Sequence, residues 1–179
     1  MFLPMIQKRR SIRKFVNRQV EPEKIDVLIE AALRAPSSMG KNPWEFIVVK
    51  EAPLLEKISK AKQGGSAFIK NAPLCIVVFA DPDRSDVWVE DASIAATFIL
   101  LAAESMGLGA CWVQIRNRMH NPEVTSQAYL SELLNIPENM MIDSIIATGY
   151  PDETKTPHGK EELQYDKVFL DAYGNEFKN

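Results

Sequence analysis

Between Asp91 and Glu104 the chain runs from Ala92 to Ala103 without a single charge. The surrounding pattern predicts a helix over Val87 to Met106, with Gly107 just past its end, where a left-handed backbone is favoured. Ile94, Phe98, Ile99, Leu100 and Leu101 stand among alanines and make its middle apolar nearly all round. Such a helix is buried on all sides. It is too short to span a bilayer, which takes about 20 apolar residues. A chain of 179 residues makes one domain with one ordinary core. The expectation is therefore that a second subunit covers part of this helix.

Hydrophobic residues make up 46% of the chain and charged residues 25%, which disfavours a disordered or collagen-like polymer. Two cysteines, Cys75 and Cys111, exclude a disulfide scaffold and fit a reducing compartment. Two histidines beside them disfavour a zinc centre, and no metal site is expected. The N-terminal MFLPMIQKRR has its short apolar stretch before its basic residues, the reverse of a secretory signal. The reading is a soluble, cytoplasmic protein that does not partner a membrane.

Charge is unevenly placed. The first 20 residues hold Lys8, Arg9, Arg10, Arg13, Lys14 and Arg18 and no acid. That segment is +6, so with a net charge of −3 the remainder carries −9. A basic arm on an acidic body is a nucleic-acid surface, a local anion site or merely a solvated face. A long polyanion needs a wider basic footprint, and the acidic remainder would repel it. One phosphate fits better, and nucleic acid is not the expected partner.

Elsewhere the periodicity predicts a helix from Pro22 to Ala35, with Ile25, Leu28, Ile29 and Ala32 on its buried face and Pro36 stopping it. Strands follow at Trp44 to Val49, Leu74 to Ala80, Ala110 to Ile115 and Met140 to Thr148. A short helix starts at Pro53. Another opens at Asn121-Pro122, with Asn121 as its cap, and runs to Leu134. Val168-Phe169-Leu170 is a possible fifth strand, far from the others. No G-x-G-x-x-G follows any strand, so there is no dinucleotide fingerprint. Trp44, Cys75 and Cys111 read as core residues and His120 as a surface-loop residue.

Within Arg9-Arg10-Ser11-Ile12-Arg13, three guanidinium groups and a hydroxyl lie within five residues. Guanidinium matches phosphate with paired donors. If the segment is extended, Arg9, Ser11 and Arg13 share one side. The blocks that follow it in order give the segment a context. Arg9 to Phe15 resembles R-x-S-x-R/K-x-F, and Ala35 to Phe46 resembles A-P-S-S-x-N-x-Q-P-W-x-F. Gly107 to Trp112 resembles G-L-G-x-x-W/P, and Ala147-Thr148-Gly149-Tyr150-Pro151 precedes a basic stretch. In these four blocks the chain resembles the nitroreductase family of FMN-dependent oxidoreductases over nearly its whole length. Two positions depart from the family pattern: Gly40 stands where Asn is frequent and Asn42 where Gln is frequent.

The resemblance implies an α+β fold, a mostly antiparallel central sheet flanked by helices. It implies a homodimer with the central helix at the interface and the C-terminal strand exchanged between subunits. FMN is the implied cofactor. Arg9, Arg10, Ser11 and Arg13 would hold its phosphate, ribityl chain and pyrimidine edge. Pro36, Ser37, Ser38 and Asn42 would line the flavin bound mainly by the other subunit. Trp112, Val113, Gln114 and Ile115 would run past the isoalloxazine. Gly149 and a tail residue, His158 or Lys160, would complete the phosphate site. The implied activity is transfer from NAD(P)H to an electron-poor acceptor, a nitroaromatic or a quinone, by a ping-pong mechanism, with no essential acid or base on the protein. A non-enzymatic flavin carrier is the alternative.

Overall fold

The computed structural model describes residues 2–177. Five α-helices and four strands follow one another: α1 Phe2–Lys8, α2 Pro22–Leu33, β1 Trp44–Val49, α3 Ala52–Ile58, β2 Leu74–Ala80, α4 Trp88–Ser105, β3 Gly109–Gln114, α5 Ser126–Leu134 and β4 Met141–Gly149. The strands form one sheet in the order β1-β2-β4-β3, every pairing antiparallel. The expected fold class is the one observed.

Both faces of this sheet are covered, so its central strands are apolar without alternation. Every residue of β2 is buried. On one face Leu74, Ile76, Val78 and Ile146 pack against α2 and α4. On the other, Cys75, Val77, Ile145 and Ala147 pack with α3, α5 and the turn at Ala67–Asn71. Burial pushes the Cys75 thiol up to about 12, the behaviour of a core cysteine.

α4 forms as predicted, but one chain covers only one side of it. Ala92, Ala95, Ala96, Ile99 and Ala103 are fully buried, whereas Ile94 is exposed. α1, not expected from the sequence, packs beside α4 with Phe2 and Leu3 exposed.

Two expectations are corrected. Asn121 does not cap α5. Its Oδ1 accepts from the N–H groups of Glu123 and Val124, which closes a local turn instead. The helix starts at Ser126, capped by Thr125, whose Oγ1 accepts from Ala128 N–H at 3.0 Å. Val168–Leu170 adds no strand to this chain's sheet. The segment folds back on itself, through a bridge between Phe169 and Glu176 and a bond from Leu170 N–H to Asn175 O.

Candidate functional site

The N-terminal basic segment is extended and laid along the start of β3. Ser11 bridges Ala110 in parallel, and Ile12 N–H donates to Ala110 O at 3.0 Å. Further on, Val16 N–H donates to Tyr150 O and Asp152 N–H to Lys14 O, both at 2.9 Å. Ile12 and Phe15 are buried in the core, which turns the polar residues between them outward. The approach is tight: a Cβ on Gly109 would meet Ile12 Cβ at 2.8 Å.

This geometry gathers Arg9, Ser11 and Arg13 on one side, around Cys111. Burial raises the Cys111 thiol pKa, opposed by the charge of Arg13, a hydrogen bond from Ser11 and the charges of Lys155 and Arg9. Lys155, whose charge also acts on Cys111 and whose Nζ lies 3.6 Å from Glu153 Oε2, is the tail cation on this side, where the sequence reading named His158 or Lys160. His158 is held elsewhere, its Nδ1 2.7 Å from Glu162 Oε2. Arg10 points toward that same stretch and donates to Thr156 O. Lys160 is exposed in the short turn Lys160–Glu162. Glu153 braces the cluster from behind by accepting from Arg13 N–H at 2.6 Å and Lys14 N–H at 3.2 Å. These two bonds, the first above all, hold its carboxyl pKa below the usual range.

Lys62 is a second residue that sequence reasoning missed. Burial lowers its pKa, the neighbouring Arg118 charge lowers it further, and Cys111 acts in the opposite sense. Its loop is tied to the segment after β3 by Gln63 N–H to Met119 O and by His120 Nδ1, 2.7 Å from Lys60 O. His120 also stacks on Tyr129 at 4.0 Å, so it is a loop clamp. Only a basic residue near a Gly-Gly turn marked this region in the sequence.

β3 is an edge strand. Ala110 turns its backbone polar groups away from β4 to meet Ile12, and alternation along the strand turns those of Trp112 and Gln114 the same way. The N–H groups of Trp112 and Gln114 have no partner among the described residues. Trp112 Nε1 donates to Gln114 Oε1 at 3.0 Å, which fixes both side chains. Val113 and Ile115 are fully buried, and Ile115 N–H is spent on Asp143 O. Gly149 pairs with Gly109 across the β3–β4 ladder, and a Cβ on it would lie 2.4 Å from Pro73 Cδ and 3.1 Å from Phe15 Cδ1.

The Ser37–Asn42 turn lies elsewhere. Ser37 Oγ donates to Asn42 Oδ1 at 2.7 Å and accepts from Asn42 N–H at 2.9 Å. Ser38 N–H donates to Asp91 Oδ1 at 2.7 Å, at the start of α4. Pro36 is exposed beside it. Within the turn Met39, Gly40 and Asn42 all have positive φ, 52°, 65° and 45°. Met39 is 89% exposed. The Arg9–Arg13 cluster sits past the other end of α4, about 20 Å away along a helix rising 1.5 Å per residue. It also faces the opposite side of the sheet, with Cys111 rather than Trp112.

The sequence profile described as the nitroreductase family matches residues 6–65 and 55–150. The chain belongs to the nitroreductase family. It is 45% identical to an FMN-dependent nitroreductase from Clostridium difficile R20291, whose solved structure superimposes with a TM-score of 0.94 over 96% of this chain and 99% of that one. A relative from Archaeoglobus fulgidus, provisionally named an NADH dehydrogenase/NAD(P)H nitroreductase, is 41% identical over 86% of this chain and 87% of its own length. The FMN reductase [NAD(P)H] of Bacillus subtilis is 30% identical over 90% of this chain and 71% of its own. Within this member of the family, the four sequence blocks thus fall into two separated places: the first, third and fourth near β3, the second at the far end of α4.

Proposed function

We propose that the protein is an FMN-dependent oxidoreductase. It takes hydride from NAD(P)H and passes electrons to an electron-poor acceptor, a nitroaromatic or a quinone. The observation that carries this reading is the cluster of Arg9, Ser11, Arg13 and Lys155 beside the open edge of β3. The residues fit the cofactor on two counts. Arg9 and Arg13 make no ion pair within 4 Å among the described residues, so their donors are available to a phosphate. The N–H groups of Trp112 and Gln114 are free donors for the ring edge.

When bound, FMN supplies the hydride and electron chemistry. The protein's part is to bind and orient. Arg9, Ser11 and Lys155 hold the phosphate end. Arg13 and Lys62 place positive charge toward the ring, which favours a reduced, anionic cofactor. Trp112 and Gln114 fix the ring edge through their backbones. No side chain on this side of β3 is required to move a proton, and both substrates use one face in turn, which gives ping-pong kinetics.

The working unit is a homodimer, with the whole chain acting as one domain. The separation along α4 supports this: one chain's Pro36, Ser37, Ser38 and Asn42 lie too far from its own Arg9–Arg13 to line the same ring, so a second copy brings them. Ile94 on α4 and Phe2 and Leu3 on α1 are the exposed apolar side chains such a contact would cover. No helix among the described residues is long and apolar enough to cross a membrane, and a cytoplasmic site of action fits the two free cysteines.

The absorption spectrum of the purified protein, followed by anaerobic titration with NADH and NADPH, tests the reading. A flavin spectrum bleached by reduced nicotinamide and restored by a quinone is expected. A protein that takes up no FMN on reconstitution contradicts it. A flavin reduced by nicotinamide but reoxidised slowly by every acceptor points to a carrier.

A further inference from the structure

A cleft of about 600 Å³ opens between the N-terminal segment, the end of β1, the start of α3 and the turn before β2. It shares Arg13 with the proposed cofactor site and includes none of Arg9, Ser11, Lys155, Trp112 or Gln114. Its rim carries Arg13, Lys14, Lys50 and Lys70 against a single carboxylate, Asp152. Among the described residues none of the four cations makes an ion pair within 4 Å. In a chain of net charge −3, this is a local positive excess that a bound anion would neutralise.

The floor has another character. Phe15, Leu55 and Ala72 are buried side chains, and Pro73 lies beside them. The floor is also firmly backed. Gly149 approaches so closely that a Cβ there would lie 2.4 Å from Pro73 Cδ and 3.1 Å from Phe15 Cδ1. The wall is pinned by the bridge between Phe15 and Pro151 and by Asp152 N–H donating to Lys14 O. Asn17, Gln19 and Asn71 add neutral polar groups between floor and rim. A preformed hollow of this size, with an apolar floor and a few converging polar groups, is the form small-molecule sites take. Cations above an apolar floor select a ligand with a flat ring and a phosphate group.

We propose that this cleft binds a phosphorylated, ring-bearing small molecule of the size of a nucleoside diphosphate, with Lys50 and Lys70 contacting its phosphates. Two sources share that chemistry: a free nucleotide, and the adenosine diphosphate half of the nicotinamide reductant. Binding at this cleft stands apart from the flavin reading, since neither lysine belongs to the cofactor site; its assignment to the reductant rests on that reading.

The test is titration calorimetry of the purified protein, with its flavin content measured first. ADP is the probe, with pyrophosphate as the charge-only arm and adenosine as the ring-only arm. ADP is expected to bind more tightly than either arm and to weaken with added salt. The double variant Lys50→Gln/Lys70→Gln should weaken ADP about tenfold or more at unchanged flavin content, since two charge-assisted contacts are lost. A higher KM for NAD(P)H in that variant at unchanged kcat assigns the ligand to the reductant; an unchanged KM assigns it to a free nucleotide. No heat with ADP, or ADP binding that the double variant leaves intact, overturns the proposal. A protein without flavin that still binds ADP through these lysines would sink the flavin reading and leave this one standing.

Discussion

Ser38 donates its backbone N–H to Asp91 Oδ1 at 2.7 Å, and the other oxygen of the same carboxylate accepts from Ser85 Oγ at 2.8 Å. Asp91 is only 2% exposed. One buried side chain thus fixes a surface turn to the first part of α4. Asp91→Ala leaves the Ser38 N–H and the Ser85 hydroxyl without their charged partner, and bonds of this kind contribute about 1.5–3 kcal/mol each. Urea unfolding is expected to show a loss of about 2–4 kcal/mol, with Asp91→Asn less severe.

Held by that anchor, Met39 has φ 52° while its side chain is 89% exposed. Left-handed backbone in a residue with a Cβ costs about 1–3 kcal/mol. Glycine relieves this and gives back about 0.4–1 kcal/mol through the freer unfolded chain. Met39→Gly should therefore raise the urea midpoint modestly at unchanged slope. A lower midpoint would show that the methionine makes a stabilising contact, as it would across a dimer interface.

At the opposite end of α4, Tyr150 ties the end of β4 to the start of α2. Its hydroxyl donates to Glu21 Oε2 at 2.6 Å and accepts from Lys24 Nζ at 2.8 Å. The Tyr150 hydrogen bond is the first cause that lowers the Glu21 pKa from 4.5 to about 2, followed by a backbone bond and by Arg18. A depressed carboxyl contributes stability above its unfolded pKa and loses it as pH falls through the folded one. That window runs from about 4.5 down to about 2. In Tyr150→Phe the melting temperature should fall less steeply across this window than in the parent protein. Identical slopes would mean that the hydroxyl does not set the Glu21 pKa.

Gly109 couples the fold to the proposed cofactor site. A Cβ there would meet Ile12 Cβ and Cγ2 at 2.8 Å, and Ile12 sits between Ser11 and Arg13. Overpacking of this kind costs about 1–3 kcal/mol. Gly109→Ala should lower both the melting temperature and FMN affinity. Gly149→Ala, crowded against Pro73 instead, should lower the melting temperature with a smaller effect on FMN.

The strands and the long helix were legible because their apolar runs fit one burial pattern, as Leu74 to Ala80 shows. Asn121 misled because its side chain can close a turn as readily as it caps a helix, and only the bonds to Glu123 and Val124 decide between the two. Arg9, Ser11 and Arg13 were legible as a cluster because an extended segment alternates its side chains. Lys155 and Lys62 were not. Each reaches the cluster through a tertiary path, the first around the tail beyond β4 and the second over a loop before β2, and neither path leaves a periodic mark in the sequence. Val168–Leu170 carries a strand-like composition, and among the described residues it bridges only its own tail, Phe169 to Glu176.

Whether the arm laid along β3 holds FMN is decided by the FMN dissociation constant of the stripped protein and of Arg13→Ala, measured by fluorescence quenching. Losing one charge-assisted bond of about 1.5–3 kcal/mol should weaken binding about 10- to 100-fold. Lys14→Ala, on the other side of the extended segment, should bind as the parent protein does. Full FMN affinity in Arg13→Ala would contradict a cofactor site on this arm and leave the basic segment as a solvated face.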